Sequence, residues 1–287
     1  MAVNIRVATP SDADACGRIM YAAFKGIAER HGFPPDFPSV EAATQLANSF
    51  IAHPSIFGVV AEEDGRVIGS NFLSEGDPIR GVGPITVDPH RQGGGVGRRL
   101  MEAVLERGRG VAGIRLLQAA YNMRSMSLYA SLGFEVREPI LVMAGRPVSR
   151  PPSGVTIRRM TKQDLDVCDA LCVRIHGISR ASEQAEALQS FAPVVVERDG
   201  RVTGYLTAPT FWIVNHGVAE TEDDMKALFL GAGAAEAAPL SFLLPTRQAS
   251  LFRWCLGEGL KAVMPMTLMT IGTYRTPSGS YLPSVFY

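Results

Sequence analysis

The chain has no excess charge of either sign: Lys+Arg and Asp+Glu both number 28 among 287 residues. No bulk field therefore draws it to nucleic acid or to an anionic membrane, and any anionic ligand must be held by local geometry. Its four cysteines, Cys16, Cys168, Cys172 and Cys255, are too few and too scattered for a disulfide framework or a zinc knuckle. Cys168 and Cys172 share a helix face at i, i+4 and are expected to be small buried hydrophobes. No apolar run approaches the roughly 18 residues that a spanning helix needs, and the first residues have no apolar signal core. A reducing, cytoplasmic compartment is the expectation. The Gly-Lys-Ser/Thr run of a nucleotide-binding P-loop is also absent, and Leu100 stands where a dinucleotide fingerprint needs its third small residue.

What is present begins with an internal repeat. Ile5, Arg6, Thr9, Asp12, Asp14 and Cys16 recur as Ile157, Arg158, Thr161, Asp164, Asp166 and Cys168, all offset by 152. Asp64-Gly65-Arg66-Val67 recurs as Asp199-Gly200-Arg201-Val202, and Arg124, Ser127 and Leu128 recur as Arg247, Ser250 and Leu251. Three matched blocks in the same order read as one unit written twice. Between them, residues 147–154 hold three prolines and end in Gly154, which suits a semi-rigid linker. The expected division is a first domain over 1–146, the linker, and a second domain over 155–287.

In the first copy, residues 4–8 read as a strand and a helix runs from the Ser11–Asp12 cap to about Arg30. A proline-rich loop over 31–38 leads to a second helix over 40–52. A hairpin turns at Asp64-Gly65. A strand over 81–87 is interrupted by Gly83-Pro84, and a helix follows Gly95. A buried strand over 116–120, a helix over 125–132 and closing strands over 136–143 complete the copy. The order β-α-α-β-β-β-α-β-α-β predicts an α/β protein of the α+β kind: a mixed, mainly antiparallel sheet with helices on both faces.

The sharpest local signal lies after Val87. Gly93, Gly94, Gly95 and Gly97 lack side chains, so the backbone there can turn several N–H groups towards one point. The helix that follows adds its unpaired N–H donors and positive dipole end, which suits a pyrophosphate. Arg98 and Arg99 stand ready to reach further phosphate charge.

Gln92, Gly95 and Gly97 after a strand ending Val87-Asp88-Pro89 resemble the coenzyme A-binding motif of the GNAT N-acetyltransferase superfamily. The preceding hairpin, then Asn122, Ser125 and the run from Tyr129 to Phe134, resemble that family in order as well. The resemblance covers about residues 4–145 and implies two tandem GNAT-like domains. It also implies acetyl-CoA as co-substrate, no metal, and acetyl transfer to a primary amine of a small molecule. Backbone groups of Gln92, Gly93, Gly94, Gly95, Val96, Gly97 and Arg98 would hold the pyrophosphate. Ile85, Thr86 and Val87 would pair with the pantetheine arm, and Asn122 and Ser125 would meet the cofactor beyond a splayed strand pair. Tyr129 would protonate the departing thiolate; the competing reading is an aromatic packed on the sheet.

The base that takes the amine proton is open. Residues 81–87 carry no carboxylate, so Glu75 is the first candidate, followed by Asp77, His31 and Asp36, or a water chain. In the second copy, residues 214–224 align with 87–97. Glu220, Glu222, Asp223 and Asp224 then stand across the glycine turn, and Phe252 stands opposite Tyr129. That copy is expected to keep the fold, lose the chemistry and wall the acceptor pocket, with an aromatic tail over 279–287 buried there. A noncatalytic acyl-CoA sensor and a protein lysine acetyltransferase are the rival readings.

Overall fold

A computed structural model describes residues 3–286; Tyr287 of the tail lies outside them. The first copy comprises β1 (Asn4–Val7), α1 (Ala13–Arg30), α2 (Val40–Ala52), β2 (Ile56–Glu63), β3 (Arg66–Ser74), β4 (Ile79–Val82) and β5 (Thr86–Val87). Then come α3 (Val96–Arg107), β6 (Gly113–Ala119), α4 (Met123–Ser131) and β7 (Glu135–Gly145). The second copy repeats the order as β8 (Thr156–Arg159), α5 (Leu165–His176), α6 (Ala181–Ser190), β9 (Val194–Arg198), β10 (Arg201–Leu206) and β11 (Gly217–Ala219). It closes with α7 (Glu222–Ala235), β12 (Leu240–Pro245), α8 (Ala249–Gly257) and β13 (Lys261–Gly272), and adds β14 (Ser280–Leu282). In copy one, α1 and α2 cover one face of the sheet around Met20, Phe50 and Phe72. The opposite face carries α3 and α4, around Leu100, Met101 and Phe134.

The repeated residues build the same two devices twice. Asp64-Gly65 and Asp199-Gly200 have φ of 51° and 75°, and 52° and 74°. Both residues of each pair are left-handed, as a two-residue hairpin turn demands. At the start of each copy an arginine on the first strand grips the aspartate that opens the first helix. Arg6 donates to Asp12 at 2.7 and 2.8 Å and to Glu62 at 2.8 Å. Arg158 donates to Asp164 at 2.8 and 2.7 Å and to Glu197 at 2.6 Å. Thr9 N and Thr161 N complete the pattern, donating to these aspartates at 2.8 and 2.7 Å.

The closing strands differ from the sequence expectation. Residues 136–143 belong to one long strand, and its partner comes from the other copy. The larger sheet runs β1-β2-β3-β4-β6-β13-β7-β12, with β5 paired to β3. Copy two's β13 thus lies between β6 and β7 of copy one, and β7 lies between β13 and β12 of copy two. Met269 faces Leu116 across one seam, and Met266 faces Ile140 across the next. Residues on β7 and β13 such as Ile140, Val142, Leu268 and Met269 are buried, so neither strand can leave without exposing apolar surface and unpaired backbone. The linker between the copies joins two halves of one sheet. A second, five-stranded sheet, β14-β11-β10-β9-β8, belongs to copy two alone.

Inside copy two, Cys168 is a buried hydrophobe as expected, but Cys172 adjoins polar groups. Gln184 Nε2 meets Tyr205 Oη at 2.8 Å, Tyr205 Oη meets His216 Nδ1 at 3.1 Å, and His216 Nε2 meets His176 Nδ1 at 3.2 Å. Cys172 Sγ lies 3.9 Å from the same His176 nitrogen. One run of donors and acceptors accounts for this buried chain, with burial holding both imidazoles well below their ordinary titration range.

The Arg6–Asp12 and Arg158–Asp164 pairs supply a test of the shared frame. The guanidinium beside each aspartate holds its carboxyl at about 2, below the ordinary 3.8. A carboxyl lowered in the folded state stabilises the protein above its unfolded value, and the gain is lost as pH falls towards the folded value. Asp12→Asn is expected to cost about 2 kcal/mol at pH 7. In urea denaturation its gap to the wild type should close between pH 4 and pH 2. A gap that stays constant over that range would show that the ion pair is not its source.

Candidate functional site

The site grows from a broken strand. Residues 81–87 form two pieces rather than the one expected. β4 runs parallel to β6 only as far as Gly81 opposite Arg115. Gly83, at φ 132°, and Pro84 then turn the chain away from β6, while Gly83 N still donates to Phe72 O of β3 at 2.9 Å. β5 rejoins β3, with Thr86 opposite Ser70 and Val87 opposite Gly69. β6 continues on its other side against β13. A wedge therefore opens between β5 and the second half of β6, where a backbone without an N–H and one without a side chain interrupt the ladder.

The free edge of β5 faces this wedge. Asp88 N donates to Ile68 O at 2.9 Å. Successive residues of an antiparallel strand point their backbone groups to opposite edges, so the Val87 N–H points away from β3, into the opening. The Val87 carbonyl on that edge accepts from Gln92 Nε2 at 3.2 Å. Beyond it, Gly93 at φ 94° and Gly95 at φ 80° carry the turn into α3. Gly95 is the helix N-cap and offers no side-chain cap, so the first N–H groups of α3 remain available to an anion.

A cavity of about 370 Å³ follows this surface, and Ile85, Thr86, Val87, Gln92, Gly93, Gly95, Val96, Gly97, Arg98, Asn122, Ser125 and Tyr129 all line it. Gly94 sits in the same turn. Four arginines border the cavity: Arg30, Arg91, Arg98 and Arg124. Arg91 is paired with Glu63 at 3.1 Å, Arg98 donates to Ser131 Oγ at 2.6 Å, and Arg124 donates to Gln92 Oε1 at 3.4 Å. Arg30, Arg91 and Arg124 escaped the sequence reading as cavity residues. Arg124 was visible only as a repeat match, and Arg30 only as the end of a helix.

Asn122 caps α4, its Oδ1 accepting from Ser125 N at 3.2 Å. Tyr129, on the same helix, is 6% exposed and packs edge-on to Phe134 at 6.1 Å. Among the described residues no group hydrogen-bonds its hydroxyl. Burial pushes the phenol above its ordinary value, so it is protonated at neutral pH.

A second, narrower cavity of about 160 Å³ adjoins the first, sharing Phe24, Ile27, Ile85, Asn122, Ser125 and Tyr129 with it. Asp36, in the proline-rich loop, lines it, and burial raises that carboxyl to about 6. The loop is held against the end of β6 by Phe33, stacked on Tyr121 at 4.5 Å. Copy two and the tail close the far side with Trp212, Ile213, Met266, Val285 and Phe286.

Glu75 is not brought to this site. It forms an ion pair with Arg107 at 3.0 Å, in the turn between β3 and β4, and lines neither cavity. The eight steps from Ile79 to Val87 would span roughly 25 Å if fully extended, so that turn sits at the wrong end of the strand. Asp77 is likewise elsewhere, accepting from Ser182 N at 3.1 Å and lying 3.9 Å from Arg180. His31 is exposed and bonds to Ile27 O at 2.9 Å. Of the carboxylate and imidazole candidates, Asp36 alone reaches the site.

In copy two the structure corrects the sequence alignment. Gly204 pairs with Ala219 as Gly69 pairs with Val87, so Ala219, not Val214, is the counterpart of Val87. Eight residues separate β5 from α3, whereas two separate β11 from α7. The glycine turn is thus deleted rather than rewritten in acids. Thr221 caps α7, accepting from Asp224 N at 3.1 Å. The caps also align Asn122 with Gln248, which places buried Cys255, not Phe252, opposite Tyr129. The hydroxyl is absent in either alignment. Finally, β14 pairs antiparallel with the edge of β11 that corresponds to the open edge of β5. Gln248 bonds both backbone groups of Tyr281 on that strand, donating to O at 2.7 Å and accepting from N at 3.2 Å.

In comparison with known proteins, the family match falls within the first copy. Residues 24–134 match the model of the acetyltransferase (GNAT) family. A search of curated proteins gives no match. A putative acetyltransferase from Pyrococcus horikoshii superposes with a TM-score of 0.76 at 17% identity, covering 99% of this chain and 94% of that one. A GCN5-related N-acetyltransferase from Sphaerobacter thermophilus gives 0.64 at 16% identity, over 97% and 98%. A tandem GNAT protein from the clavulanic acid biosynthesis pathway gives 0.61 at 14%, over 94% and 98%. At such identities the likeness is one of fold. Residues 24–134 of the first copy thus match the GNAT acetyltransferase family, and the whole chain has the fold of tandem GNAT proteins.

Proposed function

We propose that the first copy transfers an acetyl group from acetyl-CoA to the primary amine of a small molecule. The observation that carries this reading is internal to the chain. In copy two, the groove edge of β11 is occupied by an extended, amide-bearing segment whose backbone is gripped by Gln248. In copy one the same edge borders an open cavity, with Asn122 in the position of Gln248 and an uncapped helix at its end. A pantetheine arm has the amides to add as a strand there, in the manner of β14. Its pyrophosphate would then meet the N–H groups from Gln92 to Arg98, with Arg30, Arg91 and Arg124 within the same cavity.

In this arrangement the Val87 N–H donates to the thioester carbonyl oxygen and stabilises the charge that builds there. The amine nitrogen attacks the carbonyl carbon from the narrower cavity, the C–S bond breaks, and the departing thiolate takes the Tyr129 proton. The proton released by the amine goes to Asp36, directly or through water. Asp36 replaces Glu75 as the favoured acceptor because it lines the cavity and Glu75 does not. A sensor would need no second cavity beside Tyr129. A protein substrate would need an open groove where Trp212 and Phe286 stand.

Gly97→Glu tests the cofactor cavity. A Cβ at Gly97 would lie 3.5 Å from Leu128 and 3.8 Å from Val87, ordinary contacts, so the fold should persist. The added carboxylate should abolish acetyl-CoA binding in calorimetry, and unchanged affinity in the folded variant would overturn this use of the turn. Tyr129→Phe tests the acid. It removes one oxygen with little packing, so turnover with a good acceptor should fall roughly 10- to 1,000-fold while cofactor affinity holds. A variant as fast as the wild type would reduce Tyr129 to a packing residue.

A further inference from the structure

The narrower cavity carries information about what enters it. Its walls are Phe24, Phe37, Phe50, Trp212, Met266 and Phe286, with aliphatic side chains between them. Among the described residues lining it, Asp36 is the one charged group, and none is Lys or Arg. An acceptor carrying a carboxylate or phosphate would leave that anion buried without a counter-charge, at a steep desolvation cost. A hydroxyl-rich acceptor would strip water from groups for which the walls have few partners. A second ammonium would have to share Asp36 with the first.

Size is bounded too. About 160 Å³ is close to an apolar cavity that accepts benzene. One further polar feature is built in. Gln118 is 5% exposed and lines the cavity. Ser125 Oγ donates to its Oε1 at 3.1 Å, while its Nε2 is buried and has no partner. A buried amide with one end unused is costly unless a ligand completes it.

Resting on the acetyl-transfer reading, we infer that the acceptor is a small apolar primary amine, an aryl- or branched-alkyl-amine of about one ring's bulk. It carries no anionic group and one hydrogen-bonding substituent within reach of Gln118. Its ammonium enters beside Asp36 and Tyr129, and its apolar body lies against Trp212 and Phe286. Copy two and the tail therefore determine specificity for a reaction whose chemistry lies in copy one. Phe286 is well placed to do so. Its ring meets Phe50 at 5.2 Å, and its carbonyl oxygen accepts from Arg180 at 3.0 Å, which fixes the tail across the cavity.

The test uses the full chain with acetyl-CoA and records thiol release against 2-phenylethylamine, tyramine, isopentylamine, phenylalanine, spermidine and kanamycin. The first three should give kcat/KM at least tenfold above the others. Trp212→Ala should raise KM for 2-phenylethylamine about tenfold or more while acetyl-CoA affinity, read by calorimetry, stays unchanged. Gln118→Leu should lower the preference for tyramine over 2-phenylethylamine. Equal or better use of phenylalanine, spermidine or kanamycin would overturn the assignment of acceptor class and leave acetyl transfer intact. If acetyl-CoA binds and no amine releases thiol, the transfer reading falls and this inference with it.

Discussion

The backbone pairing of β7 with β13 holds the molecule together, because each strand lies in a sheet position flanked by the other copy. Both are long, apolar on their buried faces and bonded along two edges, so their removal would open two ladders at once. This constraint explains why a second copy without a glycine turn is still needed. It supplies the strand that sits against β6, and β6 forms one wall of the wedge in which the two cavities meet. It also brings Trp212, Met266 and Phe286 within reach of a site whose chemistry belongs to copy one.

Within the shared frame, the copies diverge at one connection. Eight residues with left-handed glycines join strand to helix in the first, and two residues ending in a threonine cap do so in the second. A capped helix has spent the donors that an uncapped one offers to an anion. The tail then pairs with the groove edge of β11, so that edge is not left unpaired. From there it runs on to the narrower cavity, which Val285 and Phe286 line. One segment thus occupies the groove edge of copy two and lines a cavity of copy one.

Local chemistry was legible in the sequence, and long-range pairing was not. The Asp-Gly hairpins, the helix starts and the glycine turn each depend on residues a few positions apart. The residues of copy one named for the cofactor gather in one cavity, with Gly94 adjoining it, except Arg99, which turns away to bond Val3 O at 2.5 Å. The exchange of β7 and β13 depends on pairings across more than a hundred residues, which periodicity cannot register. Glu75 misled for a related reason: closeness in sequence to β4 says nothing about which end of the strand meets the wedge. In copy two, residue-by-residue alignment carried the counterpart of Val87 to Val214 and that of Tyr129 to Phe252. A six-residue deletion in a turn has no local signature once the flanking residues have changed. Arg30 and Trp212 gave no signal of a place in a cavity, since each meets residues distant in the chain there.

The claim that one groove binds cofactor while the other is filled by the tail can be tested by counting. Native mass spectrometry of the intact chain under increasing acetyl-CoA should reach a plateau at one cofactor per chain. A second equivalent bound at comparable concentrations would mean that β14 leaves its groove, and would contradict the division of roles between the two copies.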